Sequence, residues 1–392
     1  MIRTNRSLRW SRSYWESRWA ALADLALDLG SRTSGFRRSL PIGVATSLAT
    51  LVRAMNCYYS NLIEGHDTHP VDIERALKGD YSADPQSRTL QLEAKAHIAV
   101  QAWIDAGGIV GRPTDVTTLR EIHERFCQDL PSELLVVRNP QTGVEHRVIP
   151  GQLRTSFVQV GRHIAISPGA VPRFLNRLAD VFSTKGKLES VIGSAAAHHR
   201  LLWIHPFADG NGRVARLMSH AMLNQQLETG GLWSVARGLA RRVFEYKAHL
   251  AACDQPRRND LDERGALSEE ALVAFTRFFL ETCLDQVTFM ESLIQPDRLR
   301  SRILAWAEEE ARTGALSPKS GIVLDALLYR GEIPRGEVAG LLGVSDRQAR
   351  RVTGALMTRG VLQSDGDRAP FMLAFPAALA SRWMPGLFPD QA

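Results

Sequence analysis

The 392-residue chain has only four cysteines, Cys57, Cys127, Cys253 and Cys283, far apart and without a Cys-x-x-Cys pair. That excludes a disulfide framework and a structural zinc site, and fits small buried thiols in a reducing cytoplasm. Charged residues interrupt every apolar run before it reaches the ~18 residues a membrane span needs, so no membrane partner is expected. Excess charge is also scarce: of the net +6, residues 1–40 hold +5 through eight arginines against Glu16, Asp24 and Asp28, and the rest is almost neutral. The arginines interleave with Trp10, Trp15 and Trp19 at near-helical spacing, which reads as a helix with a solvated charged face; a basic arm that touches nucleic acid or an acidic partner is the other reading. The tryptophans and acids argue against an organelle transit peptide, and no apolar core marks a secretory signal. Apolar content of 44% with 23% charge is that of a folded protein, large enough for two or three domains.

Helical periodicity dominates what is present. Residues 43–63, 86–105, 117–129, 170–183, 188–204, 211–228, 241–252 and 268–291 read as helices, the last capped by Ser268 with acids in its first turn. Residues 143–149 and 156–166 alternate like strands around Pro150-Gly151 and Gly161, which predicts a small hairpin in a helical domain. The expected fold is therefore mainly α. The expected divisions are an N-terminal helical region (1–105), a core (106–295), a connector (296–316), a C-terminal block (317–378) and a tail (379–392).

The C-terminal block follows another pattern. A helix over 319–329 precedes a short helix over 335–342 that stops at Gly343, and Ser345 caps a further helix over 346–359. That is helix-turn-helix spacing, and Val361-Leu362 with Phe371–Phe375 supplies the hairpin of a winged helix. Arg347, Arg350 and Arg351 fall on the second helix, where they would meet phosphates or guanine edges of DNA. Such blocks also serve as protein-docking or dimerisation modules, so a homo-oligomer is left open.

One segment carries the chemistry: His205-Pro206-Phe207-Ala208-Asp209-Gly210-Asn211-Gly212-Arg213-Val214-Ala215-Arg216. Gly210-Asn211-Gly212 lies between two apolar helices, at a helix N-terminus whose unpaired N–H groups and dipole suit phosphate oxygens. Arg213 and Arg216, three apart, project two cations toward one ligand. Asp209 offers a hard oxygen for phosphate-bound Mg²⁺, and His205 is suited to take a proton from an attacking hydroxyl near neutral pH. Phe207 would anchor the loop. Asn-Gly and Asp-Gly alone are ordinary turns, but average usage gives the eight specified positions a chance match of about one in ten thousand million per start.

HPFADGNGRVAR resembles the Fic family motif HxFx(D/E)GNGRxxR at every specified position. The resemblance spans roughly 45–290 and implies a helical fold with a hairpin flap that docks a target segment, here placed at 151–160. It implies transfer of AMP from ATP to a Tyr, Thr or Ser hydroxyl of a target protein, with self-modification as one outcome. His205 would be the base, Asp209 would hold Mg²⁺, Gly210, Asn211 and Gly212 would cradle phosphates, and Arg213 and Arg216 would steady the β- and γ-phosphates. Residues 233–241, Tyr246 and 259–265 would border the nucleotide. Ser60-Asn61-Leu62-Ile63-Glu64-Gly65 fits the family's inhibitory signature (S/T)xxxE(G/N), placed as in members with an N-terminal inhibitory helix. Ser60 and Glu64 share a helix face just before Gly65, and Glu64 would occupy Arg216 in place of the γ-phosphate. Other readings are removal of AMP by a Glu64-oriented water, transfer of phosphate, UMP or phosphocholine, and a DNA-binding regulator whose core senses ATP. His198, His199 and His220 show no metal-ligand spacing and read as structural.

Overall fold

Apolar residues recurring every third or fourth position fold into α-helices through most of the chain, as a computed structural model shows. The structure describes residues 5–138, 143, 145–183, 186–257, 262 and 266–389, with only the backbone of 5–19. The N-terminal helices are α1 (Asn5–Arg38), α2 (Ile42–Ile63), α3 (Pro70–Leu77) and α4 (Pro85–Asp105). Next come α5 (Val116–Cys127), the strands β1 (Val136–Arg138), β2 (Glu145–Arg147), β3 (Gln159–Val160) and β4 (His163–Ile164), then α6 (Val171–Val181). The central pair α7 (Lys187–Ile204) and α8 (Asn211–Leu227) leads to α9 (Val235–Arg241), α10 (Val243–Cys253) and α11 (Glu269–Leu293). The chain continues through α12 (Pro296–Arg312), α13 (Ser320–Arg330), β5 (Glu332–Ile333), α14 (Val338–Leu342) and α15 (Asp346–Thr358). It closes with β6 (Leu362–Gln363), β7 (Phe371–Leu373) and α16 (Ala380–Trp383).

Caps explain several boundaries. Asp84 accepts from the Ser87 N–H, Ser268 from Ala271, and Ser345 with Gln348 forms a reciprocal capping box on α15. The expected helix over 241–252 is α10, which starts after Arg242, whose φ of −116° and ψ of 34° lie outside the helical region and separate it from α9. The helix α3 and the strand β5 were not foreseen.

The strands differ from expectation in pairing. Residues 145–147 pair with 136–138, and the second hairpin is β3 with β4, joined through Gly161. The hairpin expected at 151–160 therefore lies at 159–164, because Gly161 and not Pro150-Gly151 supplies its left-handed turn.

Helices α7 and α8 pack on each other, with α4, α5 and α6 on one side and α1, α2 and α11 on the other. A smaller core from α4 to α8 includes Phe126, Phe207 and Leu217; a larger one runs from α1 and α2 through α11 into the C-terminal block. The segment 296–316, expected as a connector, holds a packed helix. Leu299, Ile303, Trp306 and Ala307 bury one face of α12 against α13 and α16. Within the expected tail, the described residues 379–389 pack onto the fold: Trp383 and Leu387 are fully buried, and Trp383 packs edge-on against Trp306 at 5.2 Å. Truncating an aromatic so buried typically costs about 3–5 kcal/mol. The three-stranded sheet β5-β7-β6 lies with α13, α14 and α15, and α2 packs against β7. The Tyr59 hydroxyl donates to the Leu387 carbonyl, and the Gln363 amide to the Ser47 hydroxyl. The helix that carries Ser60 is thus held between the core and the C-terminal block.

Candidate active site

The loop between α7 and α8 is built by contacts to its own backbone. His205 caps α7 in the left-handed region (φ 51°, ψ 62°), a conformation that costs a non-glycine residue about 1–2 kcal/mol. Its carbonyl accepts from the buried Arg154 Nε at 2.6 Å, and Arg154 also donates to the carbonyls of Ser156, Ile166 and Ile204. Phe207 is fully buried and stacks on His123, with ring centroids 4.0 Å apart. Asn211 reaches back four residues: its Oδ1 accepts from the Phe207 N–H and its Nδ2 donates to the Phe207 carbonyl, both at 2.9 Å. The Asn211 side chain is therefore consumed in holding the loop and offers the nucleotide nothing but its backbone N–H.

Gly210 sits at φ 79° immediately before α8, and the first helical bond runs from the Val214 N–H to the Gly210 carbonyl. The N–H groups ahead of Val214 are left facing outward, where the helix dipole favours an anion. Gly212 has a further reason to lack a side chain: a Cβ there would overlap a Glu64 carboxylate oxygen. Asp209 is exposed beside these N–H groups.

Both motif arginines are buried and both are paired. Arg216 donates from Nε to the Ser60 hydroxyl at 2.8 Å, and from Nη2 to the Ser60 carbonyl at 3.1 Å and to Glu64 Oε1 at 2.5 Å. Burial opposes ionisation of Glu64, but Arg216, Arg213 and His66 together hold its carboxyl below the ordinary value. Arg213 lies 3.0 Å from Glu93 on α4 and over the Phe126 ring. Its Nε has no hydrogen-bond acceptor among the described residues, a donor left for a ligand. Glu93 is also 2.7 Å from His66 Nδ1; that contact raises the imidazole pKa against the effect of burial.

Burial pushes His205 down to about 4, which leaves it neutral and able to accept a proton at pH 7. Tyr246 does not border an open site. It is 2% exposed, and its hydroxyl meets His198 Nε2 at 2.7 Å while His198 Nδ1 meets the Ser219 hydroxyl. This buried chain stands behind Arg216. Residues 233–239 are likewise core: Trp233, Ala236 and Leu239 pack inside, with α9 between α2 and α11, and only Arg241 at its end is exposed. Most of 259–265 lies outside the described residues. His198, His199 and His220 have structural partners, His220 meeting Asp105 at 2.6 Å. Among the described residues no group of three or more His, Cys, Asp or Glu is placed to hold a metal.

Arg154, His123, Glu93 and His66 were missed by reading the sequence. Glu93 leaves a signal: it falls on the stripe of Ala96, His97 and Val100, where an apolar residue belongs. Arg154 lies in an irregular polar loop and leaves none. Far from this site, Arg347, Arg350 and Arg351 are all exposed on α15, whereas Arg335 is spent on the Ser364, Gly366 and Ala369 turn.

Comparison with known proteins accords with this site. The Fic/DOC family model matches residues 113–223. A protein adenylyltransferase Fic from Drosophila willistoni is 37% identical over 168 residues, covering 42% of this chain and 31% of its own. One from Nematostella vectensis is 28% identical over 189 residues, covering 47% and 41%. The chain thus spans less than half the length of these relatives. A crystal structure of a Fic family protein from Desulfovibrio desulfuricans G20 shares the fold at a TM-score of 0.53 and 18% identity, over 90% of this chain and 96% of that one. Fic-1 (residues 134–508) from Caenorhabditis elegans does so at 0.50 and 17%, over 72% and 75%. No described helix is long and apolar enough to cross a membrane. The motif loop, the helical fold and these relatives all agree with the match of residues 113–223 to the Fic/DOC family model.

Proposed function

We propose that this protein transfers AMP from ATP to a hydroxyl side chain of a target protein, Tyr, Thr or Ser, and that Glu64 holds it inactive. The observation that carries the reading is the pairing of Glu64 with Arg216 beside an otherwise intact phosphate-binding loop. The hydroxyl oxygen attacks the α-phosphorus, a new P–O bond forms, the bond to the β-phosphate oxygen breaks, and diphosphate leaves. His205, neutral and held at the end of α7, takes the hydroxyl proton, a role typically worth about 10²–10⁴-fold. The α8 N-terminus and Arg213 stabilise the phosphate charge, and Arg216 does so once Glu64 releases it.

Mg²⁺ fits Asp209. One exposed carboxylate beside an anion site suits a hard cation whose remaining ligands are nucleotide oxygens and water. When bound, the ion would offset phosphate charge. A cytoplasmic location agrees with four free, buried thiols.

Intact mass of wild type, Glu64→Gly and Glu64→Gly/His205→Ala after incubation with Mg²⁺ and ATP tests the reading. Adenylyl adducts are expected on Glu64→Gly alone. Equal labelling of wild type and Glu64→Gly would remove the inhibitory role, and labelling of the double variant would remove His205 as base. If Glu64 instead orients water to remove AMP, Glu64→Gly loses activity toward a pre-adenylylated target.

The exposed Arg347, Arg350 and Arg351 favour a second role, in which the C-terminal block acts as a winged helix that binds DNA. Binding that weakens steeply with salt, and weakens uniformly in Arg350→Ala, is the expected result. Binding unchanged by these substitutions would rule the helix out as the contact.

A further inference from the structure

The β3–β4 hairpin is too small to hold itself in place. It has two residue pairs, Gln159 with Ile164 and Val160 with His163, and it turns apolar side chains outward, with Phe157 and Ile164 each 73% exposed. A two-stranded hairpin of that size is marginal in water and needs anchors from outside. Arg154 provides one at its base through the carbonyls of Ser156 and Ile166. The other anchor is at its far strand.

His163, on β4, lies between two acceptors. Its Nε2 is 2.9 Å from the Trp203 carbonyl and its Nδ1 is 3.2 Å from Asp254 Oδ2. A carbonyl and an ionised carboxylate only accept, so this placement favours hydrogen on both ring nitrogens, the imidazolium form of His163. The second Asp254 oxygen, Oδ1, is 3.0 Å from Nε2 of the buried His199, while Arg200 points Nη1 at His199 Nδ1. Those contacts make His199 neutral, with its hydrogen on Nε2. Trp203 stands two residues before His205 and His199 six before it, both on α7 or at its end.

We propose that His163, Asp254 and His199 form a proton-dependent clamp that fixes the β3–β4 hairpin against the end of α7 and thereby sets its position relative to His205. They are positioning residues; none of them touches the reacting atoms. The consequence for target docking rests on the adenylyl-transfer reading, but the clamp itself does not.

The charges around the clamp agree with it. The His163 pKa is raised by its hydrogen bond to Asp254, with burial and the Arg154 cation working against it. Burial would raise Asp254, but the bonds from His163 and His199 bring it down to about 2. His205 also faces the group and is neutral. A histidine whose folded pKa is raised contributes fully below its unfolded value of 6.5, and the contribution is lost as pH rises through the folded value. The hairpin is therefore held at pH 6 and released at alkaline pH. The His205 base, in contrast, is already neutral at both.

Histidine ring NMR on the full chain, with the His163 signal assigned by its loss in His163→Gln, tests the charge state. Hydrogen exchange of residues 156–166, corrected for intrinsic pH dependence, tests the consequence. The His163 midpoint should lie above 6.5 and fall in Asp254→Asn. Exchange of the hairpin in wild type should rise about tenfold or more between pH 6 and pH 9, and should be fast at both in His163→Gln. A His163 midpoint at or below 6.5, or an exchange step that persists in His163→Gln, overturns the clamp. Both readouts are independent of nucleotide chemistry, so failure of adenylyl transfer would leave them unchanged.

Discussion

Arg213 and Arg216 lie three residues apart on α8, both are buried, and each faces a glutamate from the N-terminal helices. Their partners differ. Glu93 is in the middle of α4, with a side chain 1% exposed and a second contact to His66. Glu64 is the C-cap of α2, a third exposed, and is followed by Gly65 at φ 88°. A mid-helix carboxylate cannot leave without moving its helix; a cap residue beside a glycine can. One pair belongs to the frame of the site and the other is positioned as a latch.

The sharpest way to break that contrast is Glu93→Gln. It leaves Arg213 buried without its counter-charge, which should destabilise the fold by about 3–5 kcal/mol, read from the urea midpoint. A loss under about 1 kcal/mol would make the two arginines equivalent and leave the distinction without basis. Glu64→Gly should cost less, about 1–2 kcal/mol, because Arg216 keeps both Ser60 acceptors and the partly exposed Glu64 position admits water. Its adenylyl labelling should meanwhile rise about tenfold or more, equivalent to at least ~1.4 kcal/mol of released inhibition. If it costs as much stability as Glu93→Gln, Glu64 is frame and not latch.

The contrast also marks how far the sequence could be read. The loop from His205 to Arg216 was legible in its geometry because its requirements are local: a glycine ahead of a helix, two arginines one turn apart, and a histidine at a helix end all leave a fixed spacing. The Ser60–Glu64 spacing was legible for the same reason, and the structure places both on Arg216. The burial of Tyr246 was not legible, because its hydroxyl's partner, His198, comes from another helix and is itself bonded to Ser219 on a third. The packing of 296–316 was not legible because its apolar residues, Leu299, Ile303 and Trp306, are diluted by charge on the opposite face of α12. The hairpin was shifted because Gly151 and Gly161 give equal turn signals, and only the pairing of 145–147 with 136–138 decides between them.

Ser60→Ala probes the latch from the other side. Ser60 is fully buried and its hydroxyl accepts from Arg216 Nε, so the substitution should cost about 1 kcal/mol. Labelling should increase severalfold and by less than in Glu64→Gly, since the carboxylate remains. Labelling at the Glu64→Gly level would make the hydroxyl the main restraint.

The smallest effect separates the two pairs by pH. Glu64 has a lowered pKa, so its contribution is present above its ordinary value of 4.5 and is lost as pH falls through the folded value. His66 has a raised pKa, so the His66–Glu93 contribution is present below 6.5 and is lost as pH rises through the folded value. Acid therefore loosens the latch and alkali loosens the frame. His66 is a third exposed, which keeps the alkaline loss under about 1 kcal/mol. Denaturation midpoints of wild type and His66→Gln from pH 6 to pH 9 should converge as the wild type loses its advantage. A constant difference across that range would mean that His66 acts through packing, and the frame would then carry no titrating contact to Glu93.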